Sequence, residues 1–158
     1  MWRPPVIDFV PAILDPPNQE NGGACEDRLV HWLVDVMNVI GSRPDRWWNN
    51  PDRAMREMAQ SLDEFAKLTG DAVTAVLDSD PGDLPEVAQA DVVIASRRGR
   101  NAADLEILRI LSTLDTVESV VVVTSDKRLK EKVAAAGARV TPSGSFRGRL
   151  DEALRSTR

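Results

Sequence analysis

The stretch SVVVVTSD, residues 119–126, decides the fold. Four consecutive valines without polar alternation predict a strand buried on both faces, as in a parallel sheet. The run ends in Thr124, Ser125 and Asp126, and Asp126 is placed to cap a helix in which Leu129 and Val133 stand at i and i+4 before Gly137 stops it. Upstream, LVHWLVD (29–35) is a short apolar run ending in Asp35 and followed by turn material at Asn38, Gly41 and Pro44. Asn50 and Pro51 then open a helix whose Met55, Met58, Leu62 and Phe65 recur at helical spacing until Gly70. AVTAVLD (72–78) and DVVIAS (91–96) read as two more strands, separated by a loop with Pro81, Gly82 and Pro85. Asn101 is expected to cap a helix to about Leu114, ARVTP (138–142) is a fifth strand and SFRGRLDEAL (145–154) a last helix. Strands alternating with helices predict an open, doubly wound, mainly parallel α/β sheet flanked by helices.

The chain has 158 residues, 42% apolar and 28% charged, which suits one globular domain and excludes disordered and fibrous classes. Residues 1–28 hold five of the ten prolines and no sustained period, so they read as an N-terminal arm, a place for a protein partner or a second copy to dock, and 29–158 as the domain. No apolar run reaches the ~18 residues a membrane span needs, and Pro4, Pro5, Asp8 and Pro11 interrupt any signal-peptide core, so the cytoplasm is the expected location. Cys25 and His31 are each the sole residue of their type, which leaves oxygen as the donor for any metal. His31, inside an apolar strand, reads as a packed histidine. Residues 1–90 carry 7 basic and 16 acidic side chains and residues 91–158 carry 13 and 9, so an acidic half meets a basic one. A basic surface for a polyanion and an unevenly charged solvated surface both fit that asymmetry.

Three strands end in aspartate, at Asp35, Asp78 and Asp126, and ligands in open α/β sheets bind beyond the carboxyl ends of the strands. Asp104 shares a helical stripe with Leu108 and Leu111 and should lean towards the sheet, whereas Glu106 sides with Arg109 and Thr113 and reads as solvated. Each aspartate alone could be a cap or a turn residue. Together they are harder to dismiss, since two carboxylates ~4 Å apart repel by roughly 4 kcal/mol at an effective dielectric of 20. Such a cluster needs protons or a cation, and hard oxygen donors favour Mg2+ or Mn2+, which suits metal-assisted phosphodiester cleavage. Arg97, Arg98 and Arg100 flank Gly99 just before a helix N-terminus and suit a phosphate backbone. Trp47 and Trp48 could stack on unpaired bases or close over the core, and Phe146 with Arg147 and Arg149 is a weaker version of the same pattern.

LVDVMNVIGSRP, VLD, NAADLEIL and VVVVTSD, in that order, resemble the NYN domain family, the YacP-like branch of the PIN-like nuclease superfamily, over roughly residues 29–155. The resemblance implies a PIN-like sheet whose acidic cluster binds Mg2+ or Mn2+ and cuts RNA as a metal-dependent endoribonuclease. It assigns Asp35, Asn38, Asp104 and Asp126 to the catalytic set, with Asp78 as a further metal neighbour. Asn38 would orient a ligand or contact a phosphate, and Thr124 and Ser125 would bond Asp126 or a phosphate oxygen. Val36 stands where relatives commonly carry glycine, which matters if the position needs a positive φ. A non-catalytic RNA- or protein-binding domain of the same fold is the alternative. A receiver-like phosphoryl acceptor is disfavoured, because the fifth strand offers no lysine.

Overall fold

A computed structural model describes residues 29–96, 99 and 101–157 of the chain. The arm, Cys25 and the side chains of Arg97, Arg98 and Arg100 lie outside the described residues. Five strands, β1 (His31–Asp35), β2 (Ala72–Leu77), β3 (Asp91–Ile94), β4 (Val120–Val123) and β5 (Arg139–Thr141), alternate with five helices: α1 (Val36–Ile40), α2 (Pro51–Thr69), α3 (Ala102–Thr113), α4 (Lys127–Ala135) and α5 (Ser143–Arg155). The sheet runs β3-β2-β1-β4-β5 with every pair parallel, so β1 lies at the centre, as expected for a doubly wound sheet.

Alternation along the strands distributes the core. Trp32 and Val34 of β1, Val73 and Ala75 of β2, and Val121 and Val123 of β4 face α1, α2 and α5. Leu33, Val76, Val120 and Val122 face α3 and α4. Because the inner strands β1, β2 and β4 are buried on both sides, the valine run needs no polar alternation. Trp32, Phe65 and Phe146 form an aromatic cluster on the first face, with Trp32 and Phe146 centroids 5.1 Å apart. Phe146 is therefore a core residue and not a base-stacking one. Its i+4 neighbour Leu150 is buried with it.

Local signals hold in most places. The Asn50 side chain accepts from the Arg53 N–H at 3.1 Å, Pro51 occupies the first turn of α2, and Gly70 closes it at φ 79°. Three expectations need correction. Asn38 lies in α1, which starts directly on Asp35, where a turn was expected. Val36, whose effect the sequence left open, opens that helix without a positive φ and is fully buried, so the backbone there does not require glycine. Asn101 precedes α3 without a side-chain cap, although its carbonyl accepts the Leu105 N–H. Glu106 is only 6% exposed and ion-paired with Arg109, because the buried stripe of α3 is wide enough to include the residue beside Ile107 and Ile110. His31 is packed as expected, with Nε2 2.9 Å from Thr74 Oγ1. No helix among the described residues is long and apolar enough to cross a membrane.

Candidate active site

The parity of the sheet gathers the carboxylates. Asp35 follows Leu33 by two residues and Asp78 follows Val76 by two, so both project towards the α3–α4 side, at the C-terminal edge of adjacent strands. Asp104 enters from the first turn of α3 and Asp126 from the start of α4. Asp35 is only 6% exposed. Burial, reinforced by Asp104 and to a lesser extent by Asp78, pushes its carboxyl up to about 7 against the opposing pull of the Thr124 hydroxyl and the Asn38 backbone N–H. Burial also raises Asp104, helped by Asp126 and Asp78 and opposed by Lys132 on α4, and burial raises Asp78. Asp104 thus feels the charge of Asp126 and Asp78, and Asp35 that of Asp104 and Asp78. Among the described residues, however, no three of the His, Cys, Asp and Glu side chains converge closely enough to share a metal directly.

Thr124, fully buried, links the Asp35 carboxylate to the main chain of Asp126. Its Oγ1 accepts the Asp126 N–H at 3.1 Å, and its hydroxyl proton goes to Asp35 Oδ2 at 3.2 Å. Asp126 Oδ1 accepts the Leu129 N–H at 2.9 Å, so the expected cap on α4 is present. On the other side of Asp35, Asn38 Oδ1 accepts from the Ser125 N–H at 2.8 Å and from the Ser143 hydroxyl at 2.6 Å. The Ser143 N–H donates in turn to Ser125 Oγ at 2.9 Å. Ser143 was missed in the sequence, where it sits in a Pro-Ser-Gly-Ser stretch that resembles any turn.

Trp47 is half-buried and packs on the core below α2, while Trp48 is 53% exposed and meets it edge-on with ring centroids 6.0 Å apart. One tryptophan thus serves the fold and the other faces solvent. Gly99 has φ 120°, a left-handed backbone that glycine accommodates readily between the arginines. A cleft of about 520 Å3 runs instead along β3, between Asp91, Ile94, Ser96, Glu106 and Arg109. None of the four carboxylates lines it: Asp35 is buried at the end of β1, and Asp78, Asp104 and Asp126 are half-buried around it.

Crystal structures of Rae1 (YacP) from Bacillus subtilis share this architecture. One is 21% identical to this chain, with a TM-score of 0.69 over 82% of this chain and 78% of that one. A single-substitution variant of the same protein is 22% identical, with a TM-score of 0.67 over 81% and 79%. No curated protein sequence matches at a significant level. The YacP-like NYN domain matches residues 32–158, which include every strand but the first residue of β1, and the chain therefore belongs to the YacP-like NYN domain family of nuclease-type domains.

Proposed function

We propose that the protein is an endoribonuclease that depends on Mg2+ or Mn2+. The observation that carries this reading is Asp35, a buried carboxyl at the end of the central strand whose affinity for a proton is raised to about 7 by burial and by the neighbouring Asp104. A buried acidic group that binds a proton this readily is poised to exchange it for a cation. The donor set fits by chemistry, since hard carboxylate oxygens with hydroxyls beside them are the ligands that Mg2+ and Mn2+ take. Asp35, Asp104, Asp126 and Asp78 would hold the ion, in part through the waters it retains, as no three of them converge on one point. When bound, it supplies Lewis acidity to a phosphoryl oxygen and a lowered pKa to water.

The chain's own groups do the rest. Thr124 holds Asp35 in one orientation, and Asn38 offers amide hydrogens to an anionic oxygen. Ser125, Arg97, Arg98 and Arg100 bind phosphates, and the exposed Trp48, with Trp47 behind it, stacks on a base. That no three of these carboxylates converge among the described residues favours a second reading, a non-catalytic RNA- or protein-binding domain.

Incubating purified protein with mixed single-stranded and structured RNA, with Mn2+, Mg2+ or EDTA, tests between them. Cleavage is expected with either ion, at least as fast with Mn2+, and should stop in EDTA and in Asp35→Asn. Cleavage unchanged by EDTA overturns the metal mechanism. RNA binding without cleavage establishes the second reading.

A further inference from the structure

Asn38 can serve a phosphate only if its side chain is held with the nitrogen outwards. A side-chain amide can be turned over with little change in shape, exchanging its acceptor oxygen for its donor nitrogen. Here the choice is forced, because the Ser125 main-chain N–H at 2.8 Å can only donate, so Oδ1 must face it. The Ser143 hydroxyl donates to the same oxygen at 2.6 Å. Both bonds consume the acceptor side. Among the described residues the Nδ2 hydrogens have no partner, and the residue is half-buried one turn beyond Asp35.

We propose that Ser143 is a positioning residue, which acts through Asn38 to hold the amide nitrogen as a double donor for a phosphoryl oxygen of the RNA. The inference rests on the nuclease reading. Ser143 is fully buried, and its N–H donates to Ser125 Oγ, so a closed ring joins α1, the loop after β4 and the start of α5. The fold does not depend on the hydroxyl to dock α5. Phe146 and Leu150 are buried in the core and Arg147 donates to the Val39 carbonyl at 3.2 Å, which suffices for docking. What the hydroxyl adds is a second lock on one amide beside Asp35. An amide donor pair suits an anionic oxygen and takes up no proton, so Asn38 serves to orient the phosphoryl group and stabilise the charge that develops on it in the transition state, and not proton transfer.

The test uses Ser143→Ala, Asn38→Ala, the double variant and Asn38→Asp, with single-stranded RNA and Mn2+. Ser143→Ala should lower kcat about tenfold with KM changed less than about twofold, since the lost bond orients the amide. In the Asn38→Ala background the same change should cost nothing further, because the residue acts through Asn38. Asn38→Asp keeps both acceptor bonds but loses the donors, and should be as slow as Asn38→Ala. In 15N spectra Ser143→Ala should shift the Asn38 side-chain amide and the Ser125 N–H, while in 13C spectra the Leu150 methyls stay in place. Equal losses in both backgrounds, wild-type rate in Asn38→Asp, or unmoved Asn38 amide signals would each overturn the proposal. If the wild type cuts no RNA the nuclease reading falls instead, and the spectra still decide whether Ser143 fixes Asn38.

Discussion

Asp35 and His31 lie on β1 four residues apart, and their titrations oppose each other. Burial lowers His31 from 6.5 to about 4, so between those values the unfolded chain binds more protons and the His31 contribution to stability grows with pH. Asp35 is raised from 3.8 to about 7, so its contribution is complete below the lower value and is lost as pH rises to the upper one. Over the shared window the two slopes largely cancel. Urea titrations of the metal-free protein should therefore show a steeper rise with pH in Asp35→Asn than in the wild type, approaching about 1 kcal/mol per pH unit. His31→Gln should show a fall in its place. Saturating Mn2+ should flatten the Asp35 component, since a bound cation takes the place of the proton. If Asp35→Asn follows the wild-type profile, the carboxyl is not perturbed and has no raised proton affinity to exchange for a cation.

The helix α4 begins on a carboxylate with two duties, and two substitutions separate them. Asp126→Asn keeps an acceptor for the Leu129 N–H, because Asn caps about as well as Asp, but removes a charge that repels Asp104. The metal-free variant should be as stable as the wild type or more so, should lose most of the Mn2+-induced rise in Tm, and should not cut RNA. Asp126→Ala should cost about 1 kcal/mol through the cap alone. Equal Mn2+ shifts in Asp126→Asn and wild type would reduce Asp126 to a helix cap. This cap was legible in the sequence, as were the five strands, because a valine run, Asp126 and Gly137 act through neighbours one to four residues away. Ser143 was not legible, because its partner Asn38 lies 105 residues distant and a serine in a turn carries no sign of it. Glu106 and Phe146 misled for another reason. Helical spacing fixes the direction of a stripe but not its width, and the packing of α3 buries Glu106 while that of α5 turns Phe146 inwards.

Across the whole molecule, charge and topology converge on the C-terminal edge of the sheet. Lys127, Arg128, Lys130 and Lys132 are exposed on α4, so the negative centre is bordered by cations despite a net charge of -5. RNA binding should weaken with salt, and replacing Arg97, Arg98 and Arg100 together by Ala should reduce the slope of log affinity against log salt by about 0.7 for each phosphate left without its cation. Fluorescence anisotropy at several salt concentrations measures it, and an unchanged slope would leave that loop as solvated surface. The distance along the chain between Asn38 and Ser143 carries a different consequence. During synthesis the amino-terminal half emerges first, so Asp35 and Asn38 leave the ribosome before Thr124, and Ser143 later still. Until α5 docks, Phe146 and Leu150 are missing from the core on which α1 rests. Among the described elements α5 is the last to be made and it carries Ser143, so the ring around Asn38 closes only after every strand of the sheet has been synthesised.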